Sequence, residues 1–452
     1  MRLRKTITTI VATAILLAGW QLFAVIANQP ELIPSLPRLV RTLCEWLVSG
    51  SFYQSVGATI FRGVLGMSIS FVCAIGMAGL FARFEWVYEL FRPLLAIMRS
   101  IPVISFILLA LIFLNPESIP LMIAFLTMFP LLTENLTRGI LDLRPGLSIM
   151  ARQFHIKRSN VLFQIIYPQL KPFLYSGLAS AAGFGWRAII MGEVLSQCAF
   201  GIGSEMKRAQ NFIAVPELLA WTIVAVFISF FFDKGISKVA DITPKISFAN
   251  EDQTIPTPTL SVLDTKDISY QYGIQHFSHS FQKGIIYGIS APSGKGKTTL
   301  LNLIGGILLP TEGEIHPTRH FGIATIFQQP QLLPHLTAEE NIILPLSSFL
   351  TEEKARRIAQ KHLQEMEMEP FGNRYPKELS YGQQQRIAIA RALAYPSPLL
   401  LMDEPFKGLD EALSHRIIER IREMQMKEER IILFTSHNPD EIRLLADEVI
   451  YL

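Results

Sequence analysis

The chain has 452 residues, of which half are apolar and only 17% are charged, and its mean hydropathy is +0.33. This composition is too apolar for an ordinary soluble enzyme and predicts a membrane protein. The formal charge of +3 is the difference between 41 basic and 38 acidic residues, so no overall field favours a nucleic-acid partner. The three cysteines match no metal-ligand spacing, and an odd number gives no disulfide framework.

The first half of the chain is a series of apolar stretches. About 20 apolar residues span a hydrocarbon core of roughly 30 Å, and six stretches qualify: residues 7–27, 56–82, 94–114, 119–136, 172–195 and 216–232. The first stretch could also be a cleaved signal peptide, because basic residues precede it. Its apolar run is long for a signal peptide, however, and no A-x-A-like cleavage site follows. We therefore interpret it as a retained helix of an all-α polytopic domain.

The distribution of basic residues predicts the orientation of this domain. With the N-terminus inside, the outer loops hold few basic residues, namely Arg38, Arg41, Lys207 and Arg208. The inner segments hold many more, which is the positive-inside pattern. An even number of crossings then places the C-terminal part in the cytoplasm.

The loop before the fifth stretch carries a recognisable pattern. It resembles the coupling loop of bacterial importer permeases, in which E-x-A-x-x-x-G is followed by a proline. Ala151 and Pro168 match this pattern, whereas Ile149 and His155 replace the glutamate and the glycine. The resemblance implies that the loop from Ile149 to Pro168 docks on an ATPase near Gln328 and couples the ATPase to the membrane helices. It also implies the fold of a type I importer permease.

Residues 34–45, 99–102 and 185–193 look like the permease branch for nitrate, sulfonate, taurine and thiamine-precursor uptake. Within these regions, Arg99, Arg187 and Glu193 lie in apolar context, where a charge must face protein or water. They are candidates for the solute pathway, although Arg99 could instead be an interfacial anchor. Arg187 and Glu193 are about 240° apart around a helix, so we do not expect them to pair with each other.

A change of composition separates the two parts of the chain. Residues 239–260 hold three prolines and several Thr, Asp and Asn residues, which is the composition of a linker. We therefore predict a transmembrane permease domain over residues 1–238, a linker over residues 239–260 and a second domain over residues 261–452.

The second domain begins with a phosphate-binding pattern. A buried strand is predicted over residues 285–290, and the segment Ala291-Pro-Ser-Gly-Lys-Gly-Lys-Thr298 and a helical pattern follow it. Backbone N–H groups of such a loop cradle phosphates, while Lys297 reaches the terminal phosphates and Thr298 ligates Mg²⁺. Ala291 replaces the first glycine of the motif. The predicted nucleotide-binding residues of this loop are Ser293, Gly294, Lys295, Gly296, Lys297, Thr298 and Thr299.

A second predicted strand, residues 398–402, ends in two acids. Asp403 would lie at the carboxyl edge of the sheet near Mg²⁺, and Glu404 would polarise the attacking water. An acid pair after a strand is common by itself. Its position after a P-loop makes it specific.

These motifs and those between them resemble the ATP-binding cassette family over about 190 residues. The segment from Leu379 to Arg386 is similar to the signature LSGGQQQR, with Tyr381 in place of a glycine. The resemblance implies an α/β cassette with a helical subdomain around residues 351–386. It also implies nucleotide contacts for Tyr272, Asp403, Ser380, Gly382 and Gln383, catalytic roles for Glu404, His437 and Gln328, and Mg²⁺ ligation by Thr298, Gln328 and Asp403.

The two halves together predict one half of an ATP-driven transporter in the bacterial inner membrane. A second copy of the chain would complete each ATP site, and an extracytoplasmic binding protein would deliver a small solute. An exporter or lipid flippase with the same motor is the alternative, although the short loop before the fifth stretch favours import. A mechanical or regulatory cassette protein is a third class, which the short outer loops disfavour.

Overall fold

A computed structural model describes residues 2–240, 244–253, 260–271, 273–292, 294–317 and 322–452. The chain forms two compact units. The first contains residues 1–143 and 169–243, and the second contains residues 144–168 and 244–452. Residues 144–168, which we name the coupling segment, thus belong to the C-terminal unit although helices of the other unit flank them in sequence.

Helices joined by short loops make up the described chain between residues 2 and 240. A π-helical turn, Val161–Ile166, separates α8 from α9. The helices are α1 (Arg2–Ala27), α2 (Leu36–Trp46), α3 (Gly50–Arg83), α4 (Glu85–Ser100), α5 (Val103–Phe113), α6 (Ile119–Leu141), α7 (Pro145–Gln153), α8 (Arg158–Asn160), α9 (Tyr167–Ser196), α10 (Ile202–Asn211) and α11 (Val215–Ala240).

Within the described residues, four helical stretches are long and apolar enough to cross a membrane: Gly50–Arg83, Pro116–Leu141, Arg158–Ser196 and Val215–Ala240. The pair α4 and α5 would make a fifth if it is one broken span. Of the N-terminal stretch, Val11–Ala27 forms a shorter apolar helix. The expectation of a helical membrane domain is confirmed, whereas the number six stays a prediction.

The predicted span over residues 94–114 contains a break, which divides it between α4 and α5. Helices α4 and α5 meet at an angle of 94°. Ile101 between them is extended, with φ −70° and ψ 130°. Pro102 explains the break, because a proline ring disfavours the helical conformation of the residue before it.

Small residues allow the helices of the first unit to approach closely. A Cβ atom at Gly66 of α3 would lie 2.6 Å from the Cβ of Ala124 in α6. Similarly, a Cβ at Gly185 of α9 would lie 2.0 Å from the terminal methyl carbon of Met128. Close packing of this kind is typical of membrane helices, whose association depends on van der Waals contact.

The second unit contains two sheets. A five-stranded parallel sheet has the order β5-β6-β7-β3-β8, and a three-stranded antiparallel sheet has the order β2-β1-β4. The strands are β1 (Val262–Tyr270), β2 (Ile274–Gln282), β3 (Ile286–Ser290), β4 (Glu312–His316), β5 (Ala324–Ile326), β6 (Leu399–Asp403), β7 (Ile431–Thr435) and β8 (Glu448–Tyr451). The helices are α12 (Lys297–Ile304), α13 (Ala338–Leu346), α14 (Glu352–Glu365), α15 (Tyr381–Ala394), α16 (Glu411–Glu428) and α17 (Pro439–Leu445).

The predicted α/β fold with a helical subdomain is confirmed. The strands β3 and β6 are the apolar runs that the sequence places before the P-loop and before the acid pair. Both are central to the parallel sheet, so their carboxyl ends lie at one edge. Helices α14 and α15 occupy the region expected for the subdomain.

Candidate functional site

The loop between β3 and α12 has the backbone conformation of a phosphate cradle. Gly294 and Gly296 are left-handed, with φ values of 80° and 88°. A Cβ at Gly296 would lie 2.5 Å from the carbonyl oxygen of Gly273, so only glycine fits there. A Cβ at Gly294 would meet no atom within 4 Å, so this side of the loop is open. Ala291 is not among the described residues with positive φ, so its backbone conformation does not require a glycine.

The side chains that follow the loop contact each other across the sheet edge. The Lys297 ammonium donates a hydrogen bond to the Ala291 carbonyl oxygen at 2.6 Å. The Thr298 hydroxyl donates to Asp403 Oδ2 at 2.9 Å, and Thr435 Oγ1 donates to Asp403 Oδ1 at 2.8 Å. The last bond fixes the orientation of the Asp403 carboxylate from the neighbouring strand β7.

The three predicted Mg²⁺ ligands lie around one cavity. Thr298, Gln328 and Asp403 all line a cavity of about 260 Å³. Gly146 and Ile149 of the coupling segment line the same cavity. Carboxylate, hydroxyl and amide oxygens are hard ligands of the kind that Mg²⁺ prefers.

Glu404, the predicted catalytic carboxylate, is the centre of a polar cluster. Its side chain lies 3.0 Å from His437 Nε2 and 3.1 Å from the Lys407 ammonium, and it accepts a hydrogen bond from Gln328. The backbone of Glu404 has φ 48°, a conformation that is costly for a non-glycine residue and that clusters at functional sites. The structure thus brings together the three residues predicted to be catalytic.

The surroundings of Glu404 keep it ionised. Burial alone would raise the pKa of its carboxyl group, but hydrogen bonds from Lys407 and Gln328 and the charges of Lys407 and His437 lower the pKa below its ordinary value. Lys407 was not singled out in the sequence. Its spacing of three residues from Glu404, within a turn, was the signal that could have identified it.

The signature segment does not line this cavity in the described part of the chain. Ser380 and Gln383 form a capping box at the start of α15, and a Cβ at Gly382 would lie 2.6 Å from the carbonyl oxygen of Gly408. Tyr381 donates a hydrogen bond to the Gln328 carbonyl oxygen at 2.8 Å. The tyrosine that departs from the family signature therefore contacts the predicted Q-loop.

The remaining predicted nucleotide contacts have different outcomes. The backbone N–H of Lys295 donates to the Pro292 carbonyl oxygen at 3.3 Å, within the loop. Thr299 lies on the first turn of α12. Tyr272 and Ser293 lie outside the described residues, and their roles stay predictions.

The coupling segment packs into the C-terminal unit through Gln153 and Phe154. The Gln153 side-chain amide donates to the Gly305 carbonyl oxygen at 2.8 Å, just beyond the P-loop helix. Its backbone oxygen accepts from the Ile323 N–H at 2.7 Å. The Phe154 ring is fully buried, and its centroid lies 5.1 Å from that of Tyr395.

Arg391 connects this packing to the segment that follows the Q-loop. Its guanidinium donates to the carbonyl oxygens of Gln331 and Pro330 at 2.8 and 2.9 Å and lies 5.5 Å from the centroid of Phe154. Burial lowers the pKa of Arg391 to about 10. One buried cation thus contacts both the coupling segment and the chain next to Gln328.

His155 occupies the position where the importer pattern has glycine. Its φ is 46°, in the left-handed region that glycine adopts without cost. The backbone at His155 therefore has a conformation that a glycine would adopt without cost.

The charged residues named as pathway candidates differ in their partners. Glu193 is fully buried and pairs with Arg62 at 2.8 Å, so the expectation that it does not pair with Arg187 agrees with the partners observed. Arg62 also binds Glu117 at 2.6 Å. Arg99 pairs with Glu134, and Arg187 is exposed.

Two family models match the chain. Residues 274–407 match the model described as ABC transporter. Residues 70–233 match the model described as binding-protein-dependent transport system inner membrane component.

Curated relatives match the C-terminal unit. The thiamine import ATP-binding protein ThiQ of Yersinia pseudotuberculosis is 34% identical over 205 residues, which is 42% of this chain and 86% of that protein. An uncharacterized ABC transporter ATP-binding protein of Methanocaldococcus jannaschii is 34% identical over 201 residues, 40% of this chain and 85% of that protein. The Fe(3+) ions import ATP-binding protein FbpC of Rhizobium etli is 35% identical, covering 40% of this chain and 54% of that protein. The chain spans little more than half the length of several of these curated relatives.

Among solved structures, a dimeric ATP-binding cassette in a post-hydrolysis state with ADP and Pi is 32% identical. The match covers 42% of this chain and 94% of the chain in that structure, with a TM-score of 0.40. The P-loop, the acid pair and the parallel sheet define the class as a P-loop nucleotide-binding cassette, here joined to a helical membrane component. The chain belongs to the ATP-binding cassette transporter family and carries both parts in one polypeptide.

Proposed function

We propose that this chain is one half of an ATP-driven importer in the bacterial inner membrane, with its cassette in the cytoplasm. The observation that carries the proposal is the packing of the coupling segment on the cassette, beside the cavity that contains the predicted ATP-site residues. Movement at the nucleotide would reach the membrane helices through this contact. Coupling requires such a contiguous contact.

ATP hydrolysis follows from the geometry of the site. The open side of Gly294 and the N-terminus of α12 suit phosphate groups, with Lys297 beside them. Thr298, Gln328 and Asp403 would hold Mg²⁺, which neutralises phosphate charge when bound. Glu404 would orient the attacking water, and His437 and Gln328 would position Glu404. Lys295, Thr299, Ser293 and Tyr272 stay proposed nucleotide contacts.

The working unit is proposed to be a homodimer. In this arrangement Ser380, Gly382 and Gln383 of one copy face the nucleotide held by the other. Their position outside the cavity of their own cassette supports this assignment, because they would otherwise have no nucleotide to contact. An extracytoplasmic binding protein would deliver the solute, as the match of the membrane component suggests.

The direction of transport and the solute can be tested together. The names of the relatives include import of thiamine, iron and glucose, which supports import. The permease segments 34–45, 99–102 and 185–193 favour a nitrate-, sulfonate- or taurine-like anion or a thiamine precursor. An exporter or lipid flippase remains the alternative, because the same motor would serve it.

The test uses the full chain in proteoliposomes with the cassettes facing outward and a binding protein from the same source inside. External ATP should release labelled taurine, nitrate or hydroxymethylpyrimidine from the lumen if the protein is an importer. ATP-driven loading of an external solute, or movement of a labelled lipid between leaflets, would instead establish the alternative. The variant Glu404→Gln is the control for movement that does not need hydrolysis.

A further inference from the structure

Part of the predicted linker is bound to the second unit. Residues 244–253, which we name the strap, have no helix or strand, yet their backbone makes specific hydrogen bonds. The N–H of Ala249 donates to the Ser347 carbonyl oxygen at 3.0 Å, and that of Gln253 donates to the Phe349 carbonyl oxygen at 2.8 Å. Ile246 and Phe248 pack against the cassette core. A flexible tether needs no such contacts.

The strap also binds the coupling segment. The Asn160 side chain donates to the Ser247 carbonyl oxygen and accepts from the Ser247 N–H, both at 2.8 Å. The same amide donates to the Ser347 hydroxyl at 2.8 Å. Asn160 is 1% exposed, so a single buried amide joins the strap, the coupling segment and the cassette.

Two further contacts anchor the ends of the strap. At its start, the Gln164 amide donates to the Pro244 carbonyl oxygen at 2.9 Å. At its end, Asp252 accepts from both the N–H and the hydroxyl of Thr351, at 2.9 and 3.0 Å. The strap therefore rests on the coupling segment at one end and on the start of α14 at the other.

The lengths of the two connections that flank the strap limit how far it can move relative to its neighbours in sequence. Four peptide steps separate Ala240, the last residue of α11, from Pro244, and four steps extend to about 14 Å at most. Seven steps separate Gln253 from Leu260, which allows about 25 Å. The connection to the last membrane helix therefore has the shorter maximum reach, so it sets the tighter limit on how far the strap can move away from α11.

We propose that the strap is a second mechanical link, which delivers cassette movement to α11 while the coupling segment delivers it to α9. The inference rests on the proposed ATP-driven transport. It assigns Asn160 and Asp252 as positioning residues of this link. A transporter assembled from separate permease and cassette chains has no covalent connection at this place.

Hydrogen exchange of the full chain in lipid nanodiscs tests the link without knowledge of the solute. The variant Asn160→Ala with Asp252→Ala removes the side-chain hydrogen bonds that Asn160 makes with Ser247 and that Asp252 makes with Thr351. Its matched control is Ser159→Ala with Glu251→Ala. The Ser159 hydroxyl has no hydrogen-bond partner among the described residues, and Glu251 is the exposed neighbour of Asp252.

Without nucleotide, amides 245–253 should exchange at least about tenfold faster in the test variant than in the control, because several hydrogen bonds are lost. With ATP and Mg²⁺, the control should show an exchange change at residues 234–240 of α11 that the test variant lacks, while the change at residues 149–157 persists in both. Unaltered exchange of the strap in the test variant, or an unaltered ATP response in α11, would overturn the link. If the unmodified protein shows no ATP response anywhere, the proposed function fails, while the nucleotide-free comparison still decides whether Asn160 and Asp252 hold the strap.

Discussion

Replacement of Phe154 by alanine tests whether the contacts of its buried ring hold the coupling segment on the cassette. The Phe154 ring is fully buried. It packs edge-on against Tyr395 with ring centroids 5.1 Å apart, and the Arg391 guanidinium lies 5.5 Å from its centroid. Truncation of such a ring costs about 3–5 kcal/mol. If the coupling segment opens independently of the cassette core, the same energy weakens its docking by about 10²- to 10⁴-fold.

The assay is hydrogen exchange of residues 149–157 together with ATP hydrolysis by the full chain. We expect faster exchange in the loop but ATP hydrolysis near the basal rate, because no residue of the proposed ATP site is changed. Phe163→Ala is the matched control, since its ring belongs to the same segment and is 49% exposed. Equal exchange rates in both variants and in the unmodified protein would refute this reasoning. Polar contacts, such as the hydrogen bond from Gln153 to Gly305, would then hold the coupling segment.

Three further predictions concern the ATP site. Glu404→Gln should retain ATP binding but lower the hydrolysis rate by about 10²–10⁴-fold, because a neutral amide cannot polarise water; binding and phosphate release are measured separately. Lys407→Met should move the acid limb of the pH–rate profile to higher pH, because loss of the ammonium raises the pKa of Glu404, so activity disappears earlier as pH falls. Chains with Ser380→Arg and chains with Lys297→Ala should each be inactive alone but should regain hydrolysis when co-assembled, because one composite site of the mixed dimer is intact.

Each of these predictions has a distinct contrary outcome. Hydrolysis near the normal rate in the glutamine variant would remove Glu404 from its proposed role. For Lys407, the control is Lys427→Met at an exposed position, and identical profiles for both lysine variants would contradict the electrostatic argument. Failure of the mixed chains to regain activity, with dimers demonstrated, would show that each site is complete within one chain.

The cassette fold was largely predictable because its signals are local. The run from Leu399 to Asp403 contains five consecutive buried residues, as a central parallel strand requires. The P-loop spacing fixes the left-handed Gly294 and Gly296 and the helix that follows. Strand, turn and helix are each encoded within a few residues.

The features that could not be predicted from the sequence depend mainly on contacts between residues that are distant in sequence. Arg62 and Glu193 pair across 131 residues, and no periodicity connects them. The partition of residues 144–168 into the cassette unit depends on packing of Phe154, which looks like any apolar loop residue. The break at Ile101 did have a local signal in Pro102, which the length of the apolar run concealed.

The partition of the chain also determines the order in which it can fold. Residues 144–168 are synthesised before any residue of the cassette. Their buried side chains, such as Met150 and Phe154, nevertheless pack against residues of the cassette. Their apolar surface therefore stays exposed until the cassette has been synthesised and has folded. Exposed apolar surface of this kind promotes aggregation. A recombinant cassette that begins at residue 261 would expose the complementary apolar surface, so its poor solubility alone would not mean that the ATPase fold is unstable.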